Sequence, residues 1–157
     1  LSELDWKARA ERFAACVQDM PEVLGATALP AARGLPPVTY HDSCRACHGQ
    51  GLRDAAHLAM RRLGGDSYQE LPESDMCCGG AGAYAFRNPE LSDELIRRKV
   101  GRIAETGARL VATSATSCLI QLARGLKKYY PECEVIHLSE LAARALEGAK
   151  DGTPAGA

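Results

Sequence analysis

Four times between residues 38 and 147, a short run of strand-forming residues gives way to a longer stretch with apolar residues at helical spacing. Val38–His41 precedes Leu52, Ala56, Ala59 and Leu63, and residues 67–71 precede a stretch opened by Asn88 and Pro89. Residues 109–113 precede Leu119, Leu122 and Leu126, and residues 134–138 precede a last helix capped by Ser139. Parallel strands need crossover connections, and a helix is the usual one. The alternation therefore predicts an α/β fold: a parallel sheet of about four strands with helices on both faces. The punctuation agrees. Asn88 suits the N-cap, Pro89 the first helical position and Glu90 the positive end of the helix dipole, while Leu95, Ile96, Val100 and Ile103 supply the buried face.

Outside this region the pattern changes. Trp6, Ala10, Phe13 and Val17 recur at helical steps, which predicts an amphipathic first helix closed by Pro21. A Pro/Gly/Ala-rich connector follows, and Pro36-Pro37 keeps it extended. The chain thus divides into a helix and connector over residues 1–36, a main domain over 37–147 and a flexible tail over 148–157. Its first residue is Leu1, so an excised or processed domain is expected.

Hydrophobic residues make up 46% and charged residues 25%, as in a soluble globular domain that buries a real core. A net charge of -1 gives no reason to expect nucleic acid as a partner. Arg61-Arg62, Arg97-Arg98-Lys99 and Lys127-Lys128 fall within helical patterns and read as solvated faces. No apolar run is long enough for direct membrane insertion, and the amino terminus lacks a signal-sequence pattern. The seven cysteines are an odd number in a chain that needs no disulfide scaffold. A reducing cytoplasm with cysteines as metal ligands fits better.

Those cysteines sit where the predicted topology converges. Cys44 and Cys47 follow the first strand, the adjacent pair Cys77-Cys78 follows the second, and Cys118 follows the third. Ligands collect at the carboxyl ends of parallel strands, so wide separations in sequence collapse to one rim. Adjacent cysteines make a strained disulfide with each other, whereas two thiolates on one turn clamp a soft metal centre well. Gly79, Gly80 and Gly82 let backbone N–H groups approach the sulfurs, contacts that tune a cluster's potential. Cys44-Arg-Ala-Cys47, taken alone, reads as a thiol–disulfide pair opening a helix, but it leaves Cys77, Cys78 and Cys118 without a role. A zinc site of dispersed cysteines stays open. Cys16 reads as a small core residue and Cys133 as a semi-buried thiol. His41 and His48 flank the first cysteine pair as ligands, donors or structural residues; His57 and His137 read as ordinary helix and strand residues.

His41-Asp42-Ser43-Cys44, Cys77-Cys78-Gly79-Gly80-Ala81-Gly82-Ala83-Tyr84, Asn88-Pro89-Glu90-Leu91, Arg98-Lys99 and Thr106-Gly107-Ala108 together resemble the cysteine-rich CCG domain family. Within it, the chain is most similar to the second such domain of glycolate oxidase iron–sulfur subunits and their lactate-utilisation relatives, from about residue 37 to 146. The resemblance implies a [4Fe–4S] cluster on Cys44, Cys77, Cys78 and Cys118, with Gly79 and Gly80 beside it and Cys47 as an extra ligand. Where heterodisulfide reductase relatives end the motif in a second cysteine, this chain has Gln121. The cluster type, and zinc in its place, stay open. The implied role is non-catalytic electron transfer in a flavin-linked 2-hydroxy-acid (glycolate or D-lactate type) oxidoreductase. The implied partners are a flavin-containing oxidase subunit and other iron–sulfur domains, in the cytoplasm, with contact to the inner membrane through those partners. Arg45, Arg87 and the run Arg97 to Lys99 are candidates for docking them. A metal-free structural or subunit-interaction domain and a thiol–disulfide catalyst are the alternatives.

Overall fold

The computed structural model describes residues 3–150. Three parallel strands form its sheet: β1 (Val38–His41), β2 (Leu110–Thr113) and β3 (Glu134–His137), in the order β1-β2-β3. The register is regular, with Val38 beside Leu110 and His41 beside Thr113. In chain order the helices are α1 (Glu3–Cys16), α2 (Met20–Ala26), α3 (Arg53–Gly64), α4 (Tyr84–Arg87), α5 (Pro89–Glu105), α6 (Thr116–Tyr129) and α7 (Leu138–Lys150).

Alternation along each strand sorts the core into two layers. Val38, Tyr40, Leu110, Ala112 and Ile136 face one way and pack with Leu24 of α2, Ala59, Met60 and Leu63 of α3, and Leu138 and Leu141 of α7. Val111 and Val135 face the other way, against Ile96, Val100 and Ile103 of α5 and Leu122 and Leu126 of α6. Helices on both faces were expected from the alternation and are present. Thr39 and His41 alternate with Val38 and Tyr40, so their side chains point to the α5–α6 side.

The expected fourth strand is reduced to one bridge. Tyr68 pairs with Val38 in the parallel sense, Gln69 N–H donates to the Val38 carbonyl at 2.8 Å, and Thr39 Oγ1 donates to the Gln69 carbonyl at 2.7 Å. Ser67 is tied up in a 3-10 turn on one side, and Pro72, which has no N–H to donate, follows Leu71 on the other. The cysteine pair consequently lies on a long loop after this edge segment and not at the end of a regular strand.

The amino-terminal helix also departs from expectation. Trp6 and Phe13 are 55% and 73% exposed, Ala10 and Val17 are exposed too, and Cys16 is an exposed thiol rather than a core residue. Periodicity marks an apolar face but supplies nothing to cover it. Pro21 opens α2 instead of closing α1, since α2 is capped by Asp19, whose side chain accepts from Met20 N–H. At the other end, His137 performs the capping expected of Ser139: its Nδ1 accepts from Ser139 N–H at 3.3 Å. Asn88 stands at the N-cap of α5 without a capping hydrogen bond. Helix α7 carries the chain through Gly148 to Lys150, and the rest of the expected tail, residues 151–157, lies outside the described residues.

Candidate metal centre

The loop bearing Cys77 and Cys78 is held from three sides. At its start, the Ser74 carbonyl accepts from Asp42 N–H at 3.1 Å, which joins it to the end of β1. Lys99 of α5, 0% exposed, donates its ammonium to the carbonyls of Glu73 and Ser74. Glu73 sits at φ 54°, a left-handed conformation uncommon for a side-chain-bearing residue, and Arg98 and Arg102 grip its carboxylate. Those two guanidinium groups hold the Glu73 carboxyl down at about 2.

The glycines then wedge the turn between α5 and α6. Gly79 has φ 80°, and a Cβ there would lie 2.8 Å from the Ser92 carbonyl oxygen. A Cβ on Gly80 would meet Gln121 Cβ at 2.7 Å. Ser92 Oγ donates to the Gly79 carbonyl at 3.0 Å, and Gln121 Nε2 donates both to the Cys78 carbonyl at 3.2 Å and to Ser92 Oγ at 3.0 Å.

This scaffold brings together the four cysteines expected to meet. Cys44, Cys77, Cys78 and Cys118 line one cavity of about 180 Å³, with Ser43, Arg45 and Ala115 completing much of its wall. The thiols form a chain of side-chain contacts, Cys44 to Cys77, Cys77 to Cys78 and Cys78 to Cys118. Gly79 N–H donates to Cys77 Sγ at 3.3 Å, and Gly80 N–H points to the Cys78 sulfur. Both are the N–H···S contacts expected from the glycines.

Sharing protons along this chain disfavours thiolates at its centre. The contact with Cys118 pushes Cys78 up to about 12, and the contact with Cys78, followed by burial, raises Cys77 further. Burial and then the neighbouring Cys77 raise Cys44, whereas the bond to Cys78 lowers Cys118. Raised thiols are poor nucleophiles, whereas a soft metal ion binds such sulfurs by displacing their protons.

Cys47 does not join this set. It lies in a π-helical turn, Arg45–Gly49, and does not line the cavity. Its sulfur instead approaches His48 and Asp75, all three ligand atoms lying within 4.8 Å of one another. Cys133 is buried, against an expectation of half-burial, and burial lifts it to about 12.

The sequence reading missed several buried or paired side chains around the site. Lys99, expected on a solvated or docking face, is fully buried, and desolvation lowers it to about 8. The spacing Ser92, Ile96, Lys99, Ile103 would have revealed it, since the steps of four, three and four place it on the buried face of α5. Arg98 is committed to Glu73 and Arg45 to Asp19, which leaves less of the proposed docking charge free. His57 is no ordinary helix residue: Nε2 meets Asp42 at 2.9 Å and Nδ1 meets Glu70 at 3.1 Å. The Asp42 bond raises His57; Asp42 stays low despite its burial because His57 and Arg53 face it.

His41 is the outlier. It is 0% exposed, and its ring nitrogens make no well-aligned hydrogen bond, the Ser74 backbone offering only a weak contact; the Thr113 hydroxyl, its register neighbour, has no partner either. A buried unpaired polar group costs about 1–3 kcal/mol. Burial, then the Lys99 charge, lowers His41 to about 3. One ring nitrogen lies within 4.8 Å of both the Cys78 and Cys118 sulfurs.

Fold and site together define a parallel α/β domain whose strand ends and loops converge on a four-cysteine cavity. The chain belongs to the cysteine-rich CCG domain family, whose model matches residues 38–123. It is 30% identical to lactate utilization protein A of Oceanobacillus iheyensis over 132 residues, which are 83% of this chain and 53% of that protein. Similarity also extends to lactate utilization protein A of Lysinibacillus sphaericus, at 30% over 66% of this chain and 45% of the relative. The uncharacterized protein YkgE of Escherichia coli is 27% identical over 88% of this chain and 59% of its own length. The chain thus spans about half the length of these relatives. Among the described residues, no helix is long and apolar enough to cross a membrane.

Proposed function

We propose that this domain holds an iron–sulfur cluster on Cys44, Cys77, Cys78 and Cys118 and serves as an electron-transfer module of a flavin-linked 2-hydroxy-acid oxidoreductase. The observation that carries the reading is that all four cysteines line one cavity. The donor set fits the group: thiolates are the standard ligands of such clusters, and a buried imidazole without a well-aligned hydrogen bond stands beside them. When bound, the cluster supplies one-electron transfer. The chain's residues then ligate, exclude water and aim N–H groups at sulfur, while Lys99 places a buried positive charge near Cys78 and Cys44. Both effects favour the more negative, reduced state.

The substrate class rests on the names of the lactate-utilization relatives and on the resemblance to glycolate oxidase subunits. A flavin subunit and further iron–sulfur domains are the corresponding partners, in the cytoplasm and at the membrane face through those partners. Zinc is the second reading, favoured by the close grouping of His41, Cys78 and Cys118. The thiol–disulfide reading has little support, since Cys47 lies outside the cavity that Cys44 lines and burial raises both thiols.

Anaerobic purification with iron and acid-labile sulfide analysis, followed by EPR of the reduced protein, tests the proposal. Iron and sulfide in near-equal amounts with a reducible EPR signal are expected. One zinc per chain without sulfide overturns the cluster in favour of the second reading.

A further inference from the structure

We propose that His41 is a nitrogen ligand of the metal centre, acting beside Cys78 and Cys118. The proposal rests on the reading of this cavity as a metal centre. Its first support is the contrast with its neighbours at the end of β1. Thr39 Oγ1 donates to the Gln69 carbonyl, Tyr40 Oη donates to Ser114 Oγ, and Asp42 accepts from His57. Among these four only His41 lacks a well-aligned side-chain hydrogen bond, its one contact being a weak one to the Ser74 backbone, although it is completely buried. A histidine kept for packing would be expected to find at least one well-aligned acceptor or donor, as buried polar groups overwhelmingly do.

The second support is where the ring lies. Strand alternation sends it to the α5–α6 side, where a ring nitrogen comes within 4.8 Å of two of the four cavity sulfurs. Those sulfurs belong to Cys78 and Cys118, the most buried of the four cysteines. Imidazole nitrogen is a natural companion to thiolate for both iron and zinc.

A third support comes from α6. Three residues after Cys118, where a paired motif would supply a further sulfur, Gln121 is already engaged with the Cys78 carbonyl and Ser92. A further protein ligand then comes from elsewhere, and His41 is a buried donor beside two of the sulfurs with no well-aligned hydrogen bond of its own.

The test compares wild type, His41→Gln and His41→Cys, reconstituted anaerobically with iron and sulfide and separately with zinc, using histidine labelled with nitrogen-15. Far-ultraviolet circular dichroism of the apo-proteins verifies that each variant folds. Metal and sulfide content, nitrogen couplings by pulsed EPR of the reduced iron centre, and zinc-edge X-ray absorption are the readouts. A directly coupled histidine nitrogen in wild type, absent from both variants, is expected, with His41→Cys retaining its metal through an all-sulfur shell. A fully loaded wild type with sulfur ligands alone overturns the histidine assignment while leaving the cluster reading intact. Zinc bound without sulfide but with one histidine nitrogen does the reverse. Failure to bind either metal overturns both.

Discussion

Gln121 donates from Nε2 to the Cys78 carbonyl at 3.2 Å, so α6 grips the backbone of the cysteine pair through a side chain that is not a ligand. The same amide reaches Ser92 Oγ on α5, and Arg124 donates to its oxygen at 3.3 Å. One buried residue therefore links both helices to the loop. Gln121→Glu keeps the shape but puts acceptor against acceptor at Cys78. It is expected to lower stability by about 1–3 kcal/mol, read as a lower urea midpoint with an unchanged m value.

The glycine after the pair makes a sharper test of the wedge. A methyl at Gly80 would lie 2.7 Å from Gln121 Cβ and 3.1 Å from the Ser117 carbonyl oxygen. Backbone cannot yield as a flexible side-chain end can, so Gly80→Ala must push the loop off α6. Overpacking of this kind costs about 1–3 kcal/mol. The expected outcome is a lower thermal midpoint together with weaker metal retention, measured by thermal melting and by metal analysis after gel filtration. Gly82→Ala probes a glycine with nothing within 4 Å of its added carbon; its positive φ, 52°, makes it a control for backbone strain without crowding.

Much of this arrangement is legible in the sequence. The limits of β1 were read correctly, β2 and β3 to within a residue, because short β-branched runs bounded by turn residues carry their own signal. The convergence of Cys44, Cys77, Cys78 and Cys118 followed from topology alone. The failures have specific causes. Residues 67–71 have strand-like composition, but a preceding 3-10 turn and Pro72 reduce them to one bridge. Trp6 and Phe13 have helical spacing, but spacing cannot supply a surface to pack against. Cys47 was read with Cys44 as a pair opening a helix; the turn is π-helical and Cys47 stands outside the cavity, beside His48 and Asp75. Lys99 was misplaced by its charge, which hid its position in the apolar repeat of α5.

Burial of an uncharged His41 has a consequence for acid stability. Its ordinary value is 6.5, and in the fold it is lowered to about 3. Below 6.5 the unfolded chain takes up a proton that the folded chain refuses, so stability falls as the pH drops between these values. The full difference corresponds to on the order of 4 kcal/mol by pH 3, against none above neutrality. His57 works in the opposite sense: its stabilisation is present below its ordinary value and fades as the pH rises through its raised one. Glu73 adds a loss only below its ordinary 4.5. Urea unfolding of the apo-protein should therefore show stability declining between pH 6.5 and 4.5, a limb that flattens in His41→Gln.

The position of Cys47 outside the four-cysteine cavity predicts which cysteine substitutions matter for metal. Cys44 lines the cavity and touches Cys77, so Cys44→Ser removes one sulfur from the chain of four. Cys47 faces His48 and Asp75 across the π-helical turn, so Cys47→Ser leaves that chain whole. After anaerobic reconstitution, Cys47→Ser is expected to match wild type in iron, sulfide and visible absorption. Cys44→Ser is expected to lose most of its iron, or to retain it only until desalting. Their stabilities should differ little, because neither thiol is fully buried and no hydrogen bond from Cys47 Sγ holds the turn, which is closed instead by Cys47 N–H donating to the Ser43 carbonyl at 2.9 Å. Equal metal loss in both variants would make Cys47 a ligand and require the π-helical turn to rewind on binding.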